Sequence, residues 1–191
     1  GETILGYATG CGVVVERGSA WRAGDDALVE LGSQGTFTLL VAEASTWDVG
    51  TSGGGGSGGL LVAGGDSTPA SKGHRATITI GMTAGSGATW NLRNPAQISY
   101  WGDSTIFVNG PSEWTASREI GFGKKGGDTT LVMGDEADCQ WEAPVTQYLG
   151  DVSITLGGES ETTWAGLYTQ GGDHNDDGTI DNSGDFRLAI E

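Results

Sequence analysis

The sequence predicts an all-β protein, a single β-solenoid (parallel β-helix) of about seven coils with three short strands per coil and an internal tryptophan stack. Three observations carry that prediction. Six of the seven tryptophans, Trp21, Trp47, Trp90, Trp114, Trp141 and Trp164, follow one another at spacings of 26, 43, 24, 27 and 23 residues. A period near 25 residues marks stacked structural units, each burying what its neighbour leaves bare. Residues around each tryptophan alternate between small or apolar and polar, the two-residue period of a strand with one dry face. The 36 glycines fall between apolar segments rather than replacing them, where they serve as corners.

The tryptophan strand is the clearest element. Two residues before each indole stand Ser19, Ser45, Ala88, Ser112, Cys139 and Thr162; two residues after stand Ala23, Val49, Leu92, Ala116, Ala143 and Gly166. All share the parity of the indole, and their small size leaves room for it. The immediate neighbours, such as Arg22, Asp48, Asn91, Glu113 and Gln140, are polar and belong outside. A second strand precedes each tryptophan by ten to eight residues, with inward pairs Cys11/Val13, Phe37/Leu39, Ile80/Met82, Ile106/Val108 (slipped by two), Leu131/Met133 and Ile154/Leu156. A third apolar pair opens the repeats: Val29/Leu31, Leu60/Val62, Ile98/Tyr100 and Ile120/Phe122. With residues 1–23 as the first coil and 167–191 as the last, the rod has seven coils and a length of about 35 Å at about 4.8 Å per coil.

Composition limits what this rod can meet. Acidic residues outnumber basic ones 25 to 9, a formal charge of −16 that opposes nucleic-acid phosphates and anionic lipid surfaces. No apolar run approaches the 18 or so residues of a membrane-spanning helix. Neither nucleic acid nor membrane insertion is expected. Cys11 and Cys139 fall four coils apart, roughly 19 Å at strand spacing, beyond disulfide reach, so both read as small buried hydrophobes. The chain opens almost at once on a predicted strand, Thr3 to Leu5, without a signal peptide, and reads as a mature or excised segment.

Loop insertions are expected at 50–75 and 171–185, within one domain spanning 1–191. The first holds a glycine-rich run, 50–59, and a second stretch, 64–75, with Pro69, Lys72 and His74. No Lys-Ser/Thr follows the glycines and no helix start is evident, which excludes a phosphate cradle. The second holds Asp173-His174-Asn175-Asp176-Asp177-Gly178-Thr179-Ile180-Asp181. Oxygen donors at positions 1, 3 and 5, glycine at 6, a backbone carbonyl at 7 and a donor at 9 form the pattern of a Ca2+ loop. The predicted ligands are Asp173, Asn175, Asp177, Thr179 through its carbonyl, Asp181 and, because position 12 is Gly184, the next residue Asp185.

This run resembles the calcium loops of dockerin modules and of thrombospondin type 3 repeats. The tryptophan-anchored phrases, such as Ser45-Thr46-Trp47, Ala88-Thr89-Trp90 and Thr162-Thr163-Trp164, resemble the passenger-type β-solenoid repeats of bacterial autotransporters and related secreted surface proteins. What these resemblances imply is an extracellular or cell-surface protein that presents, spaces or polymerises.

Function classes follow from this reading. A non-enzymatic structural subunit, self-associating head to tail through its solenoid ends into a fibre or matrix, is the leading expectation, because open strand edges template further strands. A carbohydrate- or surface-binding adhesin is the alternative; Trp101, of opposite parity to Ile98 and Tyr100, is expected to expose its indole. Outward Thr36/Thr38, Thr130 and Ser153/Thr155 raise an ice-binding face whose rank Asp103, Gly81 and Val132 interrupt. No enzymatic activity is expected: His74 and His174 have no partner that sequence can supply, and no catalytic residues are assigned.

Overall fold

The computed structural model describes residues 2–5, 10–32, 35–50, 58–63, 75–82, 86–171 and 184–191, with backbone alone for 2–4. Their order along the chain is a threefold repeat of strands. The first coil is β1 (Glu2–Leu5), β2 (Cys11–Val15) and β3 (Ala20–Ala23); the second is β4 (Leu28–Leu31), β5 (Thr36–Val41) and β6 (Thr46–Val49). The third is β7 (Gly59–Val62), β8 (Arg75–Ile80) and β9 (Thr89–Leu92), and the fourth β10 (Ala96–Ile98), β11 (Asp103–Val108) and β12 (Glu113–Ala116). Then come β13 (Ile120–Phe122), β14 (Thr129–Met133) and β15 (Asp138–Trp141), followed by β16 (Val145–Gln147), β17 (Val152–Leu156) and β18 (Glu161–Trp164). The last coil contributes β19 (Leu167–Thr169) and β20 (Phe186–Ile190).

Every third strand joins the same sheet, so three sheets run along the molecule in strict order: seven strands from β1 to β19, seven from β2 to β20, and six from β3 to β18. All the pairings are parallel. This is the seven-coil β-solenoid that the 25-residue period predicts. Parallel sheets demand a filled interior, and the inward positions supply one continuous apolar column after another. In the second sheet, Val13, Leu39, Ile78, Ile106, Leu131, Ile154 and Leu188 lie side by side. The core runs from Val15 to Ile154, with Trp47, Trp90, Trp114 and Trp141 essentially inaccessible.

The indoles do not form one column. Trp21, Trp47, Trp90 and Trp114 pair in register, but β15 is offset by two residues, so Trp114 faces Cys139 and Trp141 faces Ala116. Trp164 then pairs with Trp141 in the second column. Ring geometry follows the register: Trp21 and Trp47 stack at 3.9 Å and Trp90 and Trp114 at 4.7 Å, whereas Trp114 meets Trp141 edge-on at 70°. Both columns keep inward parity, so the offset leaves the burial prediction intact. The buried N–H groups of Trp47, Trp90, Trp114 and Trp141 find no hydrogen-bond acceptor. Each such omission costs about 1–3 kcal/mol, while burying an indole contributes about 4–6 kcal/mol. Burial wins, and packing rather than hydrogen bonding holds the rings.

Several inward assignments shift. Met82 lies beyond the end of β8 and is 49% exposed, because the true inward pair is Ile78/Ile80. Tyr100 is a corner residue; Ala96/Ile98 opens that coil instead. Cys11, at the first coil, is half-buried, while Cys139 is buried; both thiols are free. Between the two loop stretches expected at 50–59 and 64–75, β7 carries the expected pair Leu60/Val62 and pairs with β4 and β10.

The corners are tight. Where the first sheet turns into the second, Gly102, Gly127, Gly150 and Gly184 lie in successive coils. A Cβ on Gly150 would collide with the Gly127 carbonyl oxygen, and one on Gly184 with that of Gly150. Here glycine is required by the approach of one backbone to the next.

Candidate functional site

Of the six predicted calcium ligands, Asp173, Asn175, Asp177, Thr179 and Asp181 lie outside the described residues, as do His74 and His174. Asp185 is placed; its carbonyl accepts from the Val152 N–H (2.8 Å), and three further hydrogen bonds fix it. Its N–H donates to Asp151 Oδ1 (2.8 Å), its carbonyl accepts from Gln147 Nε2 (3.0 Å), and its carboxylate Oδ2 accepts from Arg187 Nη2 (3.1 Å). The Asp185 side chain is 72% exposed. A hard, accessible carboxylate at the exit of the loop suits a calcium ion, with one oxygen shared with Arg187. Among the described residues, no group of three or more His, Cys, Asp or Glu side chains is arranged to hold a metal.

Asp185 ends a ladder that sequence reasoning did not resolve. Asp103 Oδ1 accepts from the N–H of Asp128, Asp128 Oδ1 from that of Asp151, and Asp151 Oδ1 from that of Asp185. Each carboxylate thus secures the strand entry of the following coil. Gln147 reinforces the last step from inside: it occupies an apolar column beside Phe122, is fully buried, and donates to the carbonyls of both Gly150 and Asp185. A lone polar residue at an inward parity was the available signal for it.

A second polar ladder crosses the outer face of the third sheet. Arg22 Nε donates to Asp48 Oδ2 (3.0 Å), Asn91 Nδ2 to Asp48 Oδ1 (2.7 Å), and Thr115 Oγ1 to Asn91 Oδ1 (2.6 Å). Arg93 stands 3.9 Å from Asp48 as well. Asp48 is therefore buried on a face that sequence parity marks as wet, and the two guanidinium groups and the amide around it offset the cost of removing its carboxylate from water.

The expected aromatic site fails. Trp101 is 4% exposed, with Lys125 Nζ 5.6 Å above its ring and Tyr100 edge-on at 6.0 Å. Parity does not govern it, because Trp101 lies past the end of β10, at a corner where Ser99 adopts φ 55° and redirects the chain. The threonine rank also differs from expectation. Thr38, Thr77, Thr105, Thr130 and Ser153 pair in unbroken succession on the outer face of the second sheet. Asp103 belongs to the adjacent ladder, Gly81 lies outside the strand, and Val132 belongs to a further outward column with Thr79, Phe107 and Thr155.

Burial first, and then the neighbouring Asp138 carboxylate, push the Cys139 thiol well above its ordinary value. That is the state of an inert core cysteine rather than a nucleophile. Clefts open on the outer faces, among the described residues one over the second sheet beside Asp103 and others over the third beside Thr115 and Trp141. Compared with known protein families, curated proteins and solved structures, the chain matches none of them.

Proposed function

We propose that this chain is a non-enzymatic, calcium-binding structural module of an extracellular surface or matrix, which joins copies of itself head to tail through its outermost coils. The observation that carries the reading is at β20. Leu188 and Ile190 occupy the inward columns of Ile154 and Leu156, yet they are 47% and 78% exposed, whereas Ile154 is 1% exposed. At the opposite face Leu5, Cys11, Val13 and Trp21 are half-buried at inward positions. Each face presents strand edges and a cross-section of core, and a coil of the same geometry covers both needs at once.

A second copy suits the role by size. Phe186 belongs to the same column as Cys11, through Val152, Thr129, Ser104, Ala76 and Phe37, so stacking sets a large side chain against a small one. Within the chain Cys11 already faces Phe37 in that way. The predicted calcium loop immediately precedes β20 in the sequence and ends at Asp185; an ion bound by it would stiffen the last coil and offset part of the −16 charge between copies.

The test is a cross-link. With paired Cα atoms about 4.8 Å apart, within disulfide range, Phe186→Cys is expected to give disulfide-bonded multimers with Cys11 of the next copy upon mild oxidation. Leu188→Cys, two positions along, is expected to give none. Light scattering of the unmodified chain in millimolar calcium supplies the companion measurement, and a monomer at high concentration overturns the reading.

A further inference from the structure

Three columns of outward side chains run along the second sheet. The first contains Arg75, Asp103, Asp128 and Asp151; the second the hydroxyls of Thr77, Thr105 and Thr130; the third Thr79, Phe107 and Val132. Between the first two columns lies a cleft of about 420 Å³, lined by Arg75, Thr77, Asp103, Thr105, Asp128 and Thr130. It spans three coils. Phe107 is the next outward residue along β11 after Thr105; it is half-buried and stands on the far side of the threonine column, outside the lining of the cleft itself.

We infer that this cleft binds a neutral, extended oligosaccharide lying along the solenoid axis, with the apolar face of one sugar ring on Phe107. The lining chemistry selects that class by elimination. Two carboxylates against one guanidinium, on a chain of charge −16, repel sulfated, phosphorylated or uronic ligands. A purely apolar ligand finds hydroxyls and charges on the floor. A bare cation finds carboxylates already committed in part, since Asp103 Oδ1 and Asp128 Oδ1 accept backbone N–H groups at 3.2 and 2.9 Å. Those bonds are what make the cleft useful to a polyhydroxyl compound: they immobilise each carboxylate before binding, and so reduce the ordering cost.

The groups that remain match sugar hydroxyls in both senses. Asp103 and Asp128 accept, Arg75 donates, and the threonines do either. Arg75 and Asp103 are 3.9 Å apart and 74% and 55% exposed, a loose pair that opens toward a ligand at little cost. Because Thr77, Thr105 and Thr130 repeat at the coil step, about 4.8 Å, the site offers the same hydroxyl to successive units of a polymer rather than to one monosaccharide. Sequence reasoning sought this aromatic at Trp101; the fold supplies it at Phe107. The cleft lies on the side of the rod, so end-to-end association neither creates nor covers it.

Calorimetric titration of the purified chain with two neutral hexasaccharides of glucose, one β-1,4-linked and one β-1,3-linked, and with an oligogalacturonate as the acidic probe tests it. At least one neutral hexasaccharide is expected to bind, with Phe107→Ala and Asp103→Asn each weakening binding tenfold or more. Thr115→Val, on the third sheet, is expected to leave binding unchanged. Both binding-site substitutions are on the outer face, so tryptophan fluorescence of each variant is expected to match that of the parent and verifies the fold. Absence of binding by both neutral probes at millimolar concentration overturns the inference. So does preference for the oligogalacturonate, or binding that survives Phe107→Ala and Asp103→Asn.

Discussion

Trp141 lies opposite Ala116, two positions away from where alignment on the tryptophans places it, and Cys139 takes the place opposite Trp114. On the third sheet each coil from the first to the sixth carries one indole, with the change of column made where both facing residues are small. Cys139→Trp puts two indoles in one coil against Trp114. It is expected to cost at least the upper end of the usual overpacking range, about 3 kcal/mol. Trp141→Ala empties the site and is expected to cost about 3–5 kcal/mol. Urea denaturation followed by near-UV circular dichroism compares the two; equal stability of Cys139→Trp and the parent contradicts the offset.

Asp48 is 7% exposed while its partner Arg22 is 73% exposed, an asymmetry that predicts unequal mutants. Asp48→Ala strips Asn91 of its acceptor in a half-buried setting, with an expected loss of about 1–3 kcal/mol. Arg22→Ala removes a solvent-screened cation and is expected to cost less than about 1 kcal/mol. Denaturant midpoints measured in parallel decide the order.

The Cys139 thiol makes stability fall in alkali. Its folded value is raised above the ordinary 9.0, so the folded chain keeps a proton that the unfolded chain releases. The resulting stabilisation is complete below pH 9 and is lost as pH climbs from there toward the folded value. Cys139→Ala is expected to flatten that part of the stability profile. A thiol reagent at pH 8 is expected to modify half-buried Cys11 readily and Cys139 only after denaturation.

Two glycines separate steric from conformational demand. Gly150→Ala drives a Cβ into the Gly127 carbonyl and is expected to destabilise by about 1–3 kcal/mol or more. Gly18, at φ 75° with open space within 4 Å of where a Cβ would stand, meets only the left-handed penalty, about 1–2 kcal/mol. Gly18→Asn is expected to recover much of that loss, because asparagine tolerates the conformation, whereas Gly150→Asn is not. Thermal midpoints of the four variants, measured against the parent, check the order.

Calcium is expected to raise the thermal midpoint, since an ion held only by the folded chain stabilises it by about 2.7 kcal/mol at a hundredfold excess over its dissociation constant. Asp177→Ala is expected to abolish the shift. Chelation with EGTA is expected to return the parent to the midpoint of the variant, and an unchanged midpoint in millimolar calcium counts against the loop as a metal site.

The number of coils, the three-strand repeat and the inward parity of the tryptophans are legible in the residues alone, because a two-residue alternation nested in a 25-residue period has one economical solution. Registration between coils was decided only by the tertiary structure. Trp114 facing Cys139 rather than Trp141 depends on which neighbouring volumes fit together, a property of pairs of coils that no single repeat encodes. Corners behave likewise: Trp101 is buried because the chain turns at Ser99, and a parity argument ends where the strand ends. The cleft over β8, β11 and β14 exists for the same reason, since residues 75, 103 and 128 become neighbours only when three coils are stacked.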